Sequence, residues 1–229
     1  MVHTDDEGHI PAINGEFMEI FSKDDVETLP PHRPTDHAIH LEPGYFLPDA
    51  RIYNLSEFEL MMLKDYVQEN LANGFIQRSS SQAAVPILFA RKMDGGLRLC
   101  VDYRMLNLAT VKNQYPLPLI SELLDSVREA RIFTTLDLRS ACNLIRIKEG
   151  EKYKTAFQRC YGQFEYRIMP FGLTISPATF QSYIDDFLWP YIEDLAVYHL
   201  DDLLIYSTNE KGHEEHVRQV RQRLKEFGL

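Results

Sequence analysis

Residues 195–206 constrain this chain more than any other stretch. They read Leu-Ala-Val-Tyr-His-Leu-Asp-Asp-Leu-Leu-Ile-Tyr, two apolar β runs with two adjacent carboxylates between them. A hairpin tip ordinarily takes Gly or Asn for backbone freedom, and two neighbouring anions repel each other. Alone, an Asp-Asp pair is most simply a solvated turn. Asp137 changes that weighting, because it too ends an apolar β run, Phe133-Thr-Thr-Leu. The pattern predicts one antiparallel sheet with Asp137, Asp201 and Asp202 at a single rim. Carboxylates gathered in that way need cations, and hard oxygen ligands suit Mg²⁺, with Mn²⁺ as a substitute. Two such ions activate an attacking hydroxyl oxygen and stabilise a leaving phosphate oxygen.

The rest of the chain reads as α+β, with helices covering one face of that sheet. Residues 1–54 are rich in Pro, Asp and His and lack a sustained period, which predicts an extended arm with one short strand at His37–Leu41. Ser56 followed by Glu59 is a capping box for an amphipathic helix to about Ala72, closed by Asn73-Gly74. Ala84–Lys92 and Leu97–Tyr103 predict a hairpin around Met93-Asp94-Gly95-Gly96. A helix at Ser121–Val127 precedes the Phe133–Asp137 strand. Leu144–Lys148 and Thr155–Gln158 predict a second hairpin, followed by Phe164–Ile168. Ser176 is the expected N-cap, with Pro177 at the first helical position, and Glu210–Phe227 predicts a charged helix.

Charge is unevenly distributed. The net of −10 resolves into −11 over residues 1–75, +6 over 76–167 and −5 over 168–229. The basic middle suits phosphate contacts, and the acidic head reads as a solvated lead-in. The 3 cysteines, Cys100, Cys142 and Cys160, have no metal-ligand spacing and read as reduced thiols of an intracellular protein. The longest apolar run, Ala83 to Ala90, is far too short to span a bilayer, and the polar start is no signal peptide.

Specific motifs then follow in order: Val101-Asp-Tyr-Arg-Met-Leu-Asn107, Thr135-Leu-Asp-Leu-Arg-Ser-Ala141, Met169-Pro-Phe-Gly-Leu173, Ser176-Pro-Ala-Thr-Phe-Gln181 and Leu200-Asp-Asp-Leu-Leu-Ile-Tyr-Ser207. The set resembles the successive motifs of reverse transcriptases from gypsy-type long-terminal-repeat retrotransposons. Pro30-Pro-His-Arg-Pro34 with Asp36-His-Ala-Ile39 is similar to the segment that precedes the polymerase in those polyproteins. The resemblance implies a right-hand fingers and palm over 55–229, after an arm over 1–54. About 55–115 and 150–170 would be fingers-like, and about 116–149 and 171–229 palm-like, with the chain ending before the primer grip and thumb.

The same resemblance implies site roles. Asp137 and Asp201 would be the main ligands of two Mg²⁺ ions, with Asp202 the third carboxylate. Arg98 and either Arg91 or Lys92 would contact the triphosphate of an incoming dNTP. Backbone groups at Ser140 and Ala141 would lie against that triphosphate, and Phe171 would line the nucleotide pocket. Template, primer and the remaining polyprotein (thumb, RNase H, integrase) would be the partners. The setting would be the cytoplasm, in virus-like particles, and the nucleus.

Two positions depart from the family. Cys142 stands where an aromatic ring usually packs beneath the deoxyribose, and the smaller side chain leaves room for a 2′-hydroxyl. His199 stands where tyrosine is usual, and reads as a partly buried histidine that keeps the ring packing. A degenerate, non-catalytic nucleic-acid-binding remnant of the same fold is the rival reading. The departures and the early end favour it; the three retained aspartates oppose it.

Overall fold

Ser56 does what its spacing to Glu59 predicts. Its hydroxyl accepts from the Glu59 N–H at 3.3 Å, and the Glu59 carboxylate accepts from the Ser56 N–H at 2.7 Å. That reciprocal cap opens a 16-residue helix, Glu57–Ala72, which ends where Gly74 takes φ +71°. The computed structural model describes residues 28–45, 47, 52–92, 95–113, 115–116, 119–138, 141–191, 194–199 and 202–227, with 141 and 190 described in the backbone alone. The predicted arm before residue 28, and the candidate residues Ser140 and Asp201, lie outside the described residues.

In chain order the elements are α1 (Glu57–Ala72), β1 (Ile76–Arg78), β2 (Ile87–Arg91), β3 (Leu97–Val101), α2 (Arg104–Ala109) and α3 (Ile120–Ser126). They continue with β4 (Ile132–Asp137), β5 (Phe157–Arg159), β6 (Gly162–Tyr166), α4 (Ser176–Leu188), β7 (Ala196–His199), β8 (Asp202–Ser207) and α5 (Glu210–Phe227). The result is a mixed α+β protein with small antiparallel sheets, as the sequence predicts. It forms two compact units. Residues 28–113 and 142–179 make the first, and 114–141 and 180–229 belong to the second.

In the first unit, β6 lies between β1 and β5, and β2 pairs with β3 as a separate hairpin. Phe157 is fully buried, with the Phe164 and Tyr166 rings 5.8 and 5.2 Å away, centroid to centroid. The predicted pairing of Leu144–Lys148 with Thr155–Gln158 does not form. Residues 152–155 turn into a 3₁₀ helix whose Thr155 hydroxyl donates to the Lys152 carbonyl and accepts from the Tyr166 N–H. The hairpin therefore falls later, at Phe157–Arg159 with Gly162–Tyr166. Arg146 and Ile147 make single bridges with Ile168 and His37 instead. Alternation identifies strand-forming runs, but does not say which run is the partner.

The arm also differs from expectation. His37 and Leu41 make only isolated bridges, to Ile147 and Thr110, with no strand between them. Yet the described part of the arm is docked, not a solvated lead-in. The Arg146 guanidinium donates to the Pro30 carbonyl at 2.9 Å, Arg159 donates to the Tyr53 carbonyl, and Lys154 donates to the Ile39 carbonyl. An extended segment without a ladder still needs partners for its carbonyls, and buried or half-buried cationic side chains supply them.

In the second unit, β8 is the central strand of the order β4-β8-β7. One face of this sheet is covered by α5, which buries Val217, Val220 and Leu224. Phe187 of α4 packs against Phe227 at 5.5 Å between centroids. Ser176, which belongs to the first unit, is the first residue of α4, not its cap, and its buried hydroxyl makes no hydrogen bond.

Candidate active site

The β4–β8 register places Asp137 directly opposite Asp202. The β7–β8 register places His199 opposite the same Asp202. Because side chains alternate along a strand, Asp137 shares its face with Thr135 and Phe133, all exposed. The intervening residues face α5. Thr134 is 2.8 Å from His213 Nε2, and Ser207 is 2.9 Å from His213 Nδ1. The helix thus anchors both carboxylate-bearing strands from behind, and Asp137 and Asp202 are exposed at the end of the opposite face. Burial, and then the neighbouring His216, hold the His213 imidazole below its ordinary pKa, so it sits there neutral. Nothing but its spacing to His216 on the last helix would have drawn attention to it in the sequence.

Two like charges directly opposite on adjacent strands destabilise a sheet. Asp137 and Asp202 are both exposed at the strand ends, where water and a cation can reach them. Their oxygen donors fit a hard divalent ion. No group of three or more His, Cys, Asp or Glu that could hold a metal occurs among the described residues, and Asp201 lies outside them. His199 is exposed at the end of β7, not partly buried in ring packing.

The nucleotide candidates lie in the first unit, apart from Ser140 and Ala141. In the β2–β3 register Ala90 faces Arg98, and the Lys92 N–H continues the ladder to the Gly96 carbonyl at 2.7 Å. Alternation then puts Lys92 on the same face as Arg98, and Arg91 on the opposite one. All three are exposed. Cys142 lies half-buried in a 3₁₀ turn, Ala141–Leu144. Phe171 is 68% exposed. Asp102, next to Arg104 in the first quoted motif, is pulled well below the usual carboxylate range by the Arg104 guanidinium that hydrogen-bonds it. Its other oxygen-bound partner is the Tyr53 hydroxyl, at 2.8 Å.

With that geometry in view, residues 90–229 match the family described as reverse transcriptase (RNA-dependent DNA polymerase), and the chain belongs to it. Its relatives include the Transposon Tf2-7, Tf2-8 and Tf2-3 polyproteins of Schizosaccharomyces pombe (strain 972 / ATCC 24843), each 39% identical over 97% of this chain. The chain spans 17% of the length of these polyproteins. The retrotransposon resemblance drawn from the motifs is therefore borne out. Among the described residues no helix is long and apolar enough to cross a membrane.

Proposed function

We propose that this chain is the fingers-and-palm portion of a retrotransposon polymerase that adds deoxynucleotides to a primer on a nucleic-acid template. The single observation that carries the reading is the pairing of Asp137 with Asp202 at the open end of one sheet. In this reading the first unit is fingers-like and the second palm-like. Asp137 and Asp202, with Asp201, hold Mg²⁺. When bound, Mg²⁺ supplies charge stabilisation at the attacking and leaving oxygens. Arg98 and Lys92 neutralise the triphosphate; Arg91, on the other hairpin face, is left out. Ser140 and Ala141 offer backbone groups to the same phosphates, and Phe171 lines the pocket. The primer 3′-oxygen forms a bond to the α-phosphate, and pyrophosphate leaves. Template, primer and the remainder of the polyprotein are the expected partners.

Metal binding tests the reading directly. Mg²⁺ should raise the melting temperature by mass action, and Asp202→Asn should remove most of that rise. Equal shifts in the two proteins would sink it. Cys142 bears on sugar choice. In the chain joined to a thumb, Cys142→Tyr should lower ribonucleotide incorporation by roughly 10–200-fold, the usual range for a pocket contact. Unchanged selectivity would remove Cys142 from the sugar subsite. The non-catalytic alternative is favoured by His199, exposed opposite Asp202 where the family resemblance implies tyrosine. Template binding with no extension by the thumb-joined chain would select it.

A further inference from the structure

Both ends of the Asn107 side-chain amide are committed to one loop. Nδ2 donates to the Gly172 carbonyl at 2.7 Å, and Oδ1 accepts from the Thr174 N–H at 2.8 Å. The partners force the amide's orientation, since only its nitrogen can donate and only its oxygen can accept. The loop is pinned on either side by side chains that are 0% exposed at Met169 and 4% at Leu173. Gly172 takes φ +99°, and a Cβ there would meet the Tyr103 ring at 3.7 Å and the Val101 carbonyl at 3.8 Å. So the backbone is fixed by two buried anchors, one left-handed glycine and one amide clamp. What it carries is Phe171, 68% exposed. The clamp therefore acts on the backbone that carries this exposed ring.

We propose that Asn107 is a positioning residue for nucleotide binding: it fixes the Phe171–Gly172 backbone, so that the Phe171 ring is presented in one orientation to the incoming nucleotide. This rests on the reading that Phe171 lines the nucleotide pocket. Asn107 itself touches no substrate. Its contribution passes through the ring, and the two positions must therefore be energetically coupled. Asp at 107 keeps the acceptor for the Thr174 N–H but sets a carboxylate oxygen against the Gly172 carbonyl. Ala removes both bonds.

The test titrates a fluorescent dNTP, with Mg²⁺, onto the full chain and its Asn107→Asp, Asn107→Ala, Phe171→Ala and double variants. Phe171→Ala should weaken binding by roughly tenfold, and Asn107→Asp by a comparable factor. In the Phe171→Ala background, Asn107→Asp should have no further effect. Amide exchange should accelerate at Gly172–Thr174 in Asn107→Asp and stay unchanged in β2, β3 and β6. If Asn107→Ala does not fold, Asn107→Asp carries the comparison. Additive losses in the double variant would overturn the proposal, since Asn107 would then act by a route other than the ring. Tight binding by Phe171→Ala, or no binding by the wild-type chain, would overturn the pocket reading and the proposal with it. Loss in Phe171→Ala with none in Asn107→Asp would overturn the proposal alone.

Discussion

In the first unit Arg159 and Arg146 are buried and direct their guanidinium donors at backbone carbonyls: Tyr53 and Ile87 for one, Pro30 and Arg167 for the other. At the sheet end of the second unit Asp137 and Asp202 carry their charges exposed, opposite each other, with no cation among their described partners. The first arrangement solves a folding problem. Extended arm segments with few ladder bonds would leave carbonyls unpaired, and each guanidinium satisfies one of them while also reaching a carbonyl outside the arm. The second arrangement creates one, because like charges face each other across a ladder that is otherwise regular. Charge that stabilises a fold is buried and paired; charge held against the interest of the fold is what a binding site looks like.

The largest test of that contrast is Arg159→Met. The guanidinium contacts the Tyr53 carbonyl and, at 3.0 Å, the Ile87 carbonyl. Losing two charge-assisted bonds and leaving their acceptors short should cost about 4 kcal/mol in urea unfolding. A midpoint within error of wild type would mean that the arm does not depend on this arginine.

Acid should act on the same unit. His37 is fully buried, its Nδ1 lies 2.9 Å from the Thr179 hydroxyl, and burial holds its pKa down to about 4. The folded chain therefore binds fewer protons here than the unfolded chain, whose histidine titrates near the ordinary value. Stability from this site is full above that value and is lost as pH falls toward about 4, by up to about 3 kcal/mol. His37→Gln should flatten that part of the pH–stability curve, and a slope that survives the substitution would assign it to other groups.

A smaller loss is expected behind the carboxylate sheet. Thr134→Val removes the hydroxyl 2.8 Å from His213 Nε2 without changing the side-chain shape. It should cost about 1 kcal/mol of unfolding free energy; no loss would show that α5 holds β4 by apolar contact alone. The smallest effect has the opposite sign. In chelator, Asp137→Asn should raise stability by about 0.5 kcal/mol, because one of two facing like charges is gone. A destabilised Asp137→Asn would erase the contrast between the two regions.

Much of this was legible from residues. The capping box at Ser56 and Glu59, the hairpin around Gly95, the β run ending at Asp137 and the helix Glu210–Phe227 all follow from local chemistry. So does the prediction that Asp137 and Asp202 share a sheet end, since each terminates an apolar run and the ordered motifs supply the rest. The short α2 and β1 were not read, because six and three residues carry too little periodicity to stand out.

What the residues alone determined is therefore the family, the shared sheet end of Asp137 and Asp202, and the elements whose signals are local. Tertiary structure decided which strand the Phe157 run pairs with, that the arm is docked by Arg146 and Arg159, and that Lys92, not Arg91, shares the face of Arg98. It also decided that Asn107 grips Gly172 and Thr174, 65 and 67 residues away. The physical reason is the same in each case. A cap or a turn is satisfied by atoms a few residues apart and so is written into a short window of sequence. The partner of a buried guanidinium or a side-chain amide is whichever carbonyl or N–H the folded chain brings within about 3 Å, and nothing in the local sequence names it.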